Sequence, residues 1–468
     1  MKLNIIQRIG MIIFLAASLI SCEDFVEVET PNDKLIRTQV FEDDATAKSA
    51  MVGIYNQLRL AAFSNGSRSS VTLLSGLSAD NIRNINTTNF TRMEFEQNEL
   101  LPNNPNNLDI WSSAYNMIYM TNSLLEGLEN SEKITAELKT HMEGEARFVR
   151  AFTYFYLVNL YGDVPLVLTA DYSVNELISR NTETEIYEQI IYDLNESTNL
   201  LSADYPNGER TIVNKYASTA LLARVYLYLE DYEKAEELSN QVILANSTYE
   251  ILDNLDEVFL ANSKEAIWQI SPIGSGGQVS HTNEGSLFII DPIFSFLASI
   301  QLQDEFVNSF TDQDKRFTDW VGYHPGKDAF FAYKYKIGNS SEFPIKEYSM
   351  VLRLAEQYLI RAEARAKQGQ ISEAIDDIDI IRGRAGLELL ADIHPTITQE
   401  ELLNEILEER RKELFAEWGH RWLDLKRTGK ATEILGENNA FWENTDVLYP
   451  IPSEERMKNP NLSQNNGY

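Results

Sequence analysis

A chain of 468 residues with 43% hydrophobic content is long enough to bury a sizeable core, as one large domain or two closely packed ones. Its 40 Lys and Arg stand against 71 Asp and Glu, a formal charge of −31. So acidic a surface repels phosphate backbones and excludes nucleic acid as a partner. Aromatic residues make up 10%, with 22 Tyr, 21 Phe and 6 Trp, which leaves some for a stacking surface once the core is filled.

Residues 1–21 read as a secretion signal: a short basic start (Lys2, Arg8), an apolar run from Ile9 to Ile20, then Ser21-Cys22. The run is too short to span a bilayer stably. Leu19-Ile20-Ser21-Cys22 resembles a bacterial lipobox, in which a small residue precedes a Cys that is acylated and becomes the new N-terminus. Cys22 is the only cysteine, so internal disulfides and thiolate metal clusters are ruled out and lipidation gives it a use. An incidental Cys in an uncleaved signal anchor is the alternative. Cleavage removes Lys2 and Arg8 and no acidic residue, leaving the mature chain more acidic still. Glu23 to Asp33 is acidic and aperiodic with a Pro31-Asn32 turn, so residues 22–40 are expected to form the lipidated Cys and a tether. Acidic residues directly after such a Cys resemble an export signal to the outer face of the outer membrane; a solvated spacer accounts for them equally well.

The body of the chain reads as mostly helical. Apolar residues recur at three and four positions in Ala45–Leu60, Leu108–Leu128, Met142–Leu160, Glu183–Leu201 and Tyr216–Leu244, and again in Leu352–Lys367, Ile371–Arg384 and Glu400–Trp418. Two stretches share a pattern: Ala223 and Ala235 in Leu221–Ala235 have the spacing of Ala362 and Ala374 in Ile360–Ala374. That is tetratricopeptide-like spacing, with polar turns at Glu230-Asp231 and Gln368–Gln370 joining antiparallel pairs. The repeat's early Trp and closing Pro are missing, and a generic helical hairpin is the plainer alternative.

Between the helical blocks, residues 260–349 are punctuated by Gly274-Ser-Gly-Gly277, Asp291-Pro292, Pro325-Gly326 and Pro344 and read as a loop-rich insert. Ala266–Ile270 and Phe330–Ile337 are its candidate strands. Regions 41–259 and 350–468 flank it as an N-terminal and a C-terminal helical region. Five scattered histidines (His141, His281, His324, His394, His420) form no zinc-peptidase pair, and no phosphate loop or Gly-x-Ser-x-Gly elbow occurs. No catalytic residue, metal or cofactor is implied. Paired carboxylates of the glycosidase kind are not readable from so acidic a sequence. Asp312-Gln-Asp314 and Asp376-Asp377-Ile-Asp379 lack the glycine turn and terminal Glu of an EF-hand loop, and are expected to be solvated acidic surface.

Several stretches together carry a family resemblance. Glu145–Leu166, an aromatic-loaded helix ended by Gly162 and Pro165, resembles the hallmark helix and following loop of SusD/RagB proteins. Leu403–Trp418 with Gly419–Arg427, then Tyr449-Pro-Ile-Pro-Ser-Glu-Glu455 and Asn459–Tyr468, are similar to that family's C-terminal helix and ending. Leu77-Ser-Ala-Asp-Asn81 and Cys22 extend the match along the whole chain. The resemblance implies a SusD-like helical fold with tetratricopeptide-like hairpins. It also implies a non-catalytic, lipid-anchored outer-membrane protein at the cell surface that captures a glycan and delivers it to a SusC-like TonB-dependent transporter. Peptides or another nutrient are alternative cargo, and a surface glycoside hydrolase or a purely structural scaffold are the rival classes.

Ligand contacts in such proteins come from the loop after the Ser-Ala-Asp motif and from the insert. Here those segments offer Arg83, Asn86, Phe90 and Arg92, then Trp320, Tyr323 and His324. Trp320, polar-flanked in Asp319–Pro325, is the leading candidate for an exposed stacking ring; the alternative is that it caps the core beneath the insert. Trp111, Trp268, Trp418 and Trp422 sit in apolar or helical contexts and are expected in the core. No Trp lies between Asp80 and Leu108, so a stacking platform on that side rests on Phe90.

Overall fold

The computed structural model describes residues 40–205, 208–272, 279–437 and 439–468; the signal sequence, Cys22 and nearly all of the tether lie outside the described residues. The longer helices form where apolar periodicity is strongest. They are α1 (Asp44–Leu60), α2 (Val71–Leu77), α3 (Phe90–Glu96), α4 (Pro105–Asn130), α5 (Ala136–Tyr161), α6 (Glu183–Leu200), α7 (Lys215–Tyr228) and α8 (Tyr232–Ile243), followed after the insert by α9 (Leu354–Lys367), α10 (Ile371–Arg384), α11 (Gln399–Glu413) and α12 (His420–Arg427). Their ends follow from local chemistry. α4 opens on Pro105 under an Asn104 cap, and α6 and α11 carry full capping boxes, Thr182 with Glu185 and Thr398 with Glu401.

Helices α5 to α10 pack each against the next, and α11 closes on α9 and α10. The α7–α8 and α9–α10 pairs are the tetratricopeptide-like hairpins, and Ala223, Ala235, Ala362 and Ala374 are all fully buried. The α8–α9 contact stacks one hairpin on the other although the whole insert separates them in sequence. α5 is the central helix: Phe148, Phe152, Tyr154, Phe155 and Tyr161 are buried, and Gly162 stops the helix with a φ of 70° that favours glycine. The C-terminal segment returns to this end, where the Tyr449 N–H donates to the Leu160 carbonyl (2.7 Å) and Asn465 Nδ2 to that of Tyr161 (2.8 Å).

The strands are short and antiparallel: β1 (Ile82–Asn84) with β3 (Ile300–Leu302), β2 (Ala266–Ile270) with β6 (Ser349–Arg353), and β4 (Val321–His324) with β5 (Ala329–Ala332). β2–β6 sets Ile270 opposite Ser349 and so closes the insert at its base. The strand expected over Phe330–Ile337 covers only its first residues. Beyond Ala332 the alternation yields to buried partners: Lys334 reaches the Glu413 carbonyl and Glu417, and Tyr335 Oη accepts the Met350 N–H. The helix expected over Glu400–Trp418 ends at Glu413, where the chain turns so that Trp418 Nε1 donates to the Met350 carbonyl (2.7 Å).

Those deviations surround a buried ion network. Arg353 pairs with Glu265 (3.0 Å), Glu413 (2.5 Å) and Glu417 (2.9 Å); Arg384 pairs with Glu265 and Glu413; Arg316 pairs with Asp314, Glu409 and Glu413. Burial by itself raises the Glu413 carboxyl, but Arg384, Arg353, Arg316 and Lys334 outweigh it and hold the group far below the usual range. Of the acidic runs expected on the solvated surface, Asp312 and Asp376 are exposed, whereas Asp314, Asp377 and Asp379 are buried against partners. Asp314 binds Arg316, Asp377 binds Arg361 and Arg365, and Asp379 accepts the Leu390 N–H.

Removing the Glu413 charge takes one carboxylate away from three buried arginines at once, so Glu413→Gln is expected to cost about 3–5 kcal/mol in urea unfolding at neutral pH. Wild-type stability from this group is present above the ordinary carboxylate range and is lost as the pH falls toward its depressed folded value. Glu145 has the opposite sign. Burial lifts its carboxyl from 4.5 to about 8, against a hydrogen bond from Tyr55 Oη at 3.0 Å. The folded chain keeps a proton there that the unfolded chain releases, so stability falls as pH rises from 4.5 to about 8. Glu145→Gln is expected to remove that part of the slope in unfolding curves taken across this window.

Candidate functional site

The turn after α2 and the insert are joined by the β1–β3 ladder, with Ile82 opposite Leu302 and Asn84 opposite Ile300. The ladder continues past β1, where the Ile85 N–H donates to the Ser299 carbonyl (2.8 Å) and Arg92 Nη1 to Ser299 Oγ (3.0 Å). Loop 85–92 is thereby held against segment 291–299. Two adjoining cavities of about 230 and 480 Å³ lie there, sharing Arg68, Leu297, Ala298 and Ser299 in their walls. Asn86, Asn89, Arg92, Phe296 and Lys327 line the larger; Asn283, Asp291, Phe294 and Asn339 line the smaller.

The insert wall is shaped by Asp291, whose Oδ1 accepts the N–H groups of Ile293 (2.7 Å) and Phe294 (2.8 Å). Those two bonds, with nearby His324, hold its carboxyl below the usual range. The turn throws a run of apolar side chains outward: Ile293 is 80% exposed, Phe294 51%, Phe296 70% and Leu297 64%. The Phe294 and Phe296 rings stand edge to face with centroids 6.2 Å apart. An exposed apolar cluster of this kind beside a cavity is a candidate binding surface. On the opposite wall Asn86 Oδ1 accepts from the Thr88 N–H (3.1 Å), and Asn89 Oδ1 caps α3 by accepting the Arg92 N–H (3.3 Å). Rings for stacking and amide and guanidinium donors therefore face one space.

The structure redistributes the residues expected to bind. Trp320 is a correction: it is wholly buried and offers no face to a ligand. Its Nε1 donates to the Leu255 carbonyl (3.1 Å), and Lys334 Nζ lies 4.6 Å from the ring centroid, with the Arg353 and Arg384 guanidiniums also against the ring. It caps the ion network beneath the insert. Asn86 and Arg92 do line the cleft. Phe90 is 70% exposed, next to Asn89 but outside the lining. Tyr323, on β4, rests on Phe330 and donates to Asp328 (2.8 Å), and His324 begins the hairpin turn that carries Lys327. Arg83 does not line either cavity and pairs with Asp304 at 3.5 Å. Arg68, Phe294, Phe296 and Lys327 were not anticipated. The usable signal is Ile293-Phe-Ser-Phe-Leu297 itself, an apolar run directly behind the Asp291-Pro292 turn. Trp111, Trp268, Trp418 and Trp422 are in the core as expected.

Stacked helical hairpins that carry a loop-built aromatic and amide cleft define a tetratricopeptide-like scaffold, and among the described residues no helix is long and apolar enough to cross a membrane. Two family models match: one described as starch-binding, associating with outer membrane, over residues 24–227, and the SusD family over residues 298–468. SusD-like protein P2 of Formosa agariphila is 28% identical, with 97% of this chain and 98% of that protein covered. The starch-binding protein SusD of Bacteroides thetaiotaomicron is 26% identical over 73% of this chain and 75% of its own length. A laminarin-binding SusD-like protein superposes with a TM-score of 0.76 at 23% identity, covering 92% of this chain and 100% of that one. The chain belongs to the SusD/RagB family.

Two opposite effects follow from this placement. Trp320→Ala opens a large void over buried charges and is expected to lower stability by about 3–5 kcal/mol. Phe294→Ala and Phe296→Ala, being exposed, are expected to stay within about 0.5 kcal/mol of wild type in the same denaturant titration.

Proposed function

We propose that this protein captures a glycan at the outer face of the outer membrane and passes it to a SusC-like TonB-dependent transporter. Lipid on Cys22 holds it there, and residues 22–40 act as the tether. Regions 41–259 and 350–468 form the scaffold in this reading, and region 260–349 supplies the capture loops. The observation that carries it is the cleft between loop 85–92 and segment 291–299. Flat sugar faces stack on exposed rings while hydroxyls meet amide and guanidinium donors, and Phe294, Phe296, Asn86, Asn89 and Arg92 present both. Relatives named for starch and laminarin binding support the glycan class. Capture without bond cleavage fits the lining, since glycoside hydrolysis takes two opposed carboxyl groups and the described residues lining the two cavities include one, Asp291.

The test is binding of the soluble chain from Glu23 onward to a panel of polysaccharides and peptides, by affinity electrophoresis and calorimetry, with Phe296→Ala alongside. Polysaccharide binding without product, weakened about tenfold or more by Phe296→Ala, is expected. Release of reducing ends overturns the non-catalytic part, and binding of peptides alone overturns the glycan.

A further inference from the structure

Within a chain of formal charge −31, the larger cavity of the cleft has a wall of unusual sign. Among the described residues lining it are three cations, Arg68, Arg92 and Lys327, and no carboxylate. In the ion network beneath the insert each buried arginine is matched by acids, as Arg316, Arg353 and Arg384 each contact two or more of them. In the cleft that matching stops. The Arg68 and Lys327 side chains make no ion pair or hydrogen bond among the described residues, and Arg92, only 4% exposed, has a single neutral side-chain partner, the Ser299 hydroxyl at 3.0 Å.

The two guanidiniums also work against each other: burial first, and then the positive charge of Arg68, make the Arg92 proton easier to lose than usual. A buried cation without a counter-charge is unfavourable, and a second cation beside it makes it more so. Carboxylates nearby do not relieve it. Asp291 lines the neighbouring cavity with one oxygen held by its own turn, Asp304 pairs with Arg83, and Asp328 accepts from Tyr323. An anion brought by the ligand would relieve it, and planar guanidinium groups are suited to the paired oxygens of a carboxylate or a sulfate ester.

We infer that the glycan taken by this cleft is anionic, with a carboxylate or sulfate substituent seated by Arg68 and Arg92, Lys327 adding charge, and a sugar face on Phe296. This rests on the capture reading and narrows it from glycans at large to acidic ones. The net acid of the chain repels such a polymer at long range, so the cationic wall stands out against that background.

Calorimetry with polygalacturonate, dextran sulfate and neutral laminarin, each at low and at physiological salt, tests the inference on the soluble chain from Glu23 onward. Arg68→Gln and Lys327→Gln are the informative variants, because neither side chain has a partner among the described residues to lose; Arg92→Gln is read only with its unfolding midpoint beside it. One of the two acidic polymers is expected to bind about tenfold or more tighter than laminarin, to weaken with salt, and to lose about tenfold in affinity in Arg68→Gln. Which polymer it is separates carboxylate from sulfate. Laminarin binding as tightly as either acidic polymer, with Arg68→Gln and Lys327→Gln unaltered, overturns this inference and leaves glycan capture standing. Failure of all three polymers to bind at any salt overturns both.

Discussion

Charge can be buried only where it meets its opposite, and that constraint organises this molecule. Glu413 at the end of α11 is reached by Arg316 from the insert, Arg353 from the end of β6 and Arg384 from the end of α10. Glu265, Asp314, Glu409 and Glu417 supply the remaining negative charge. No position can drift without stranding a guanidinium, so segments distant in sequence are forced into one arrangement. Trp320 lies over the cluster with its ring against three cations, which fixes how the insert sits on the helices.

A second junction of the same kind reaches the cleft directly. Asp80 takes both Arg421 (2.7 and 2.9 Å) and Arg411 (2.8 Å), and Asn81 accepts from Arg411 (2.8 Å). Gly419, with a φ of 69° and Ser75 so close that a Cβ would stand 2.6 Å from it, lets the chain entering α12 approach α2. β1 begins one residue after this junction and is paired on its other side with β3. The loop that carries Asn86 and Arg92 is therefore clamped between the C-terminal helices and the insert before any ligand arrives, and little ordering of this wall remains to be done on binding. Two of the family motifs, Leu77–Asn81 and Leu403–Arg427, supply residues to these clamps; the proposed recognition surface falls outside them.

That division explains what the sequence disclosed. Helices such as Ile371–Arg384 were legible to the residue because one apolar face repeats along them, and the two Ala pairs revealed the hairpins because close packing demands small side chains. Ala266–Ile270 was legible as a strand. Trp320 was misjudged because its polar neighbours suggest a surface, while its partners, Leu255, Lys334 and Arg353, come from elsewhere in the chain. Asp377 was misjudged for the same reason, since Arg361, which completes its ion pair, is not a local feature; the partner of Asp314, Arg316, is only two residues away, but what buries that pair, Glu409 and Glu413, is distant. Asn86 and Arg92 were found through the motif that precedes them. Arg68, Phe294 and Phe296 were not, because what singles them out is exposure beside a cavity, a property of the folded surface.

The closure of the insert by β2 and β6 has a consequence for how such a scaffold diversifies. Because Ile270 faces Ser349, the chain departs from the hairpin stack and rejoins it at a single place. Lengthening or shortening the outer loops leaves helix spacing untouched, and the entropic penalty of a longer loop rises slowly, about 0.6 kcal/mol per doubling. The inner layer of the insert, with Arg316, Trp320 and Lys334 covering the ion network, does not share this freedom. Loop tips are thus open to change while the layer one step below is not, so the outer surface of the insert can vary over an interior that stays fixed.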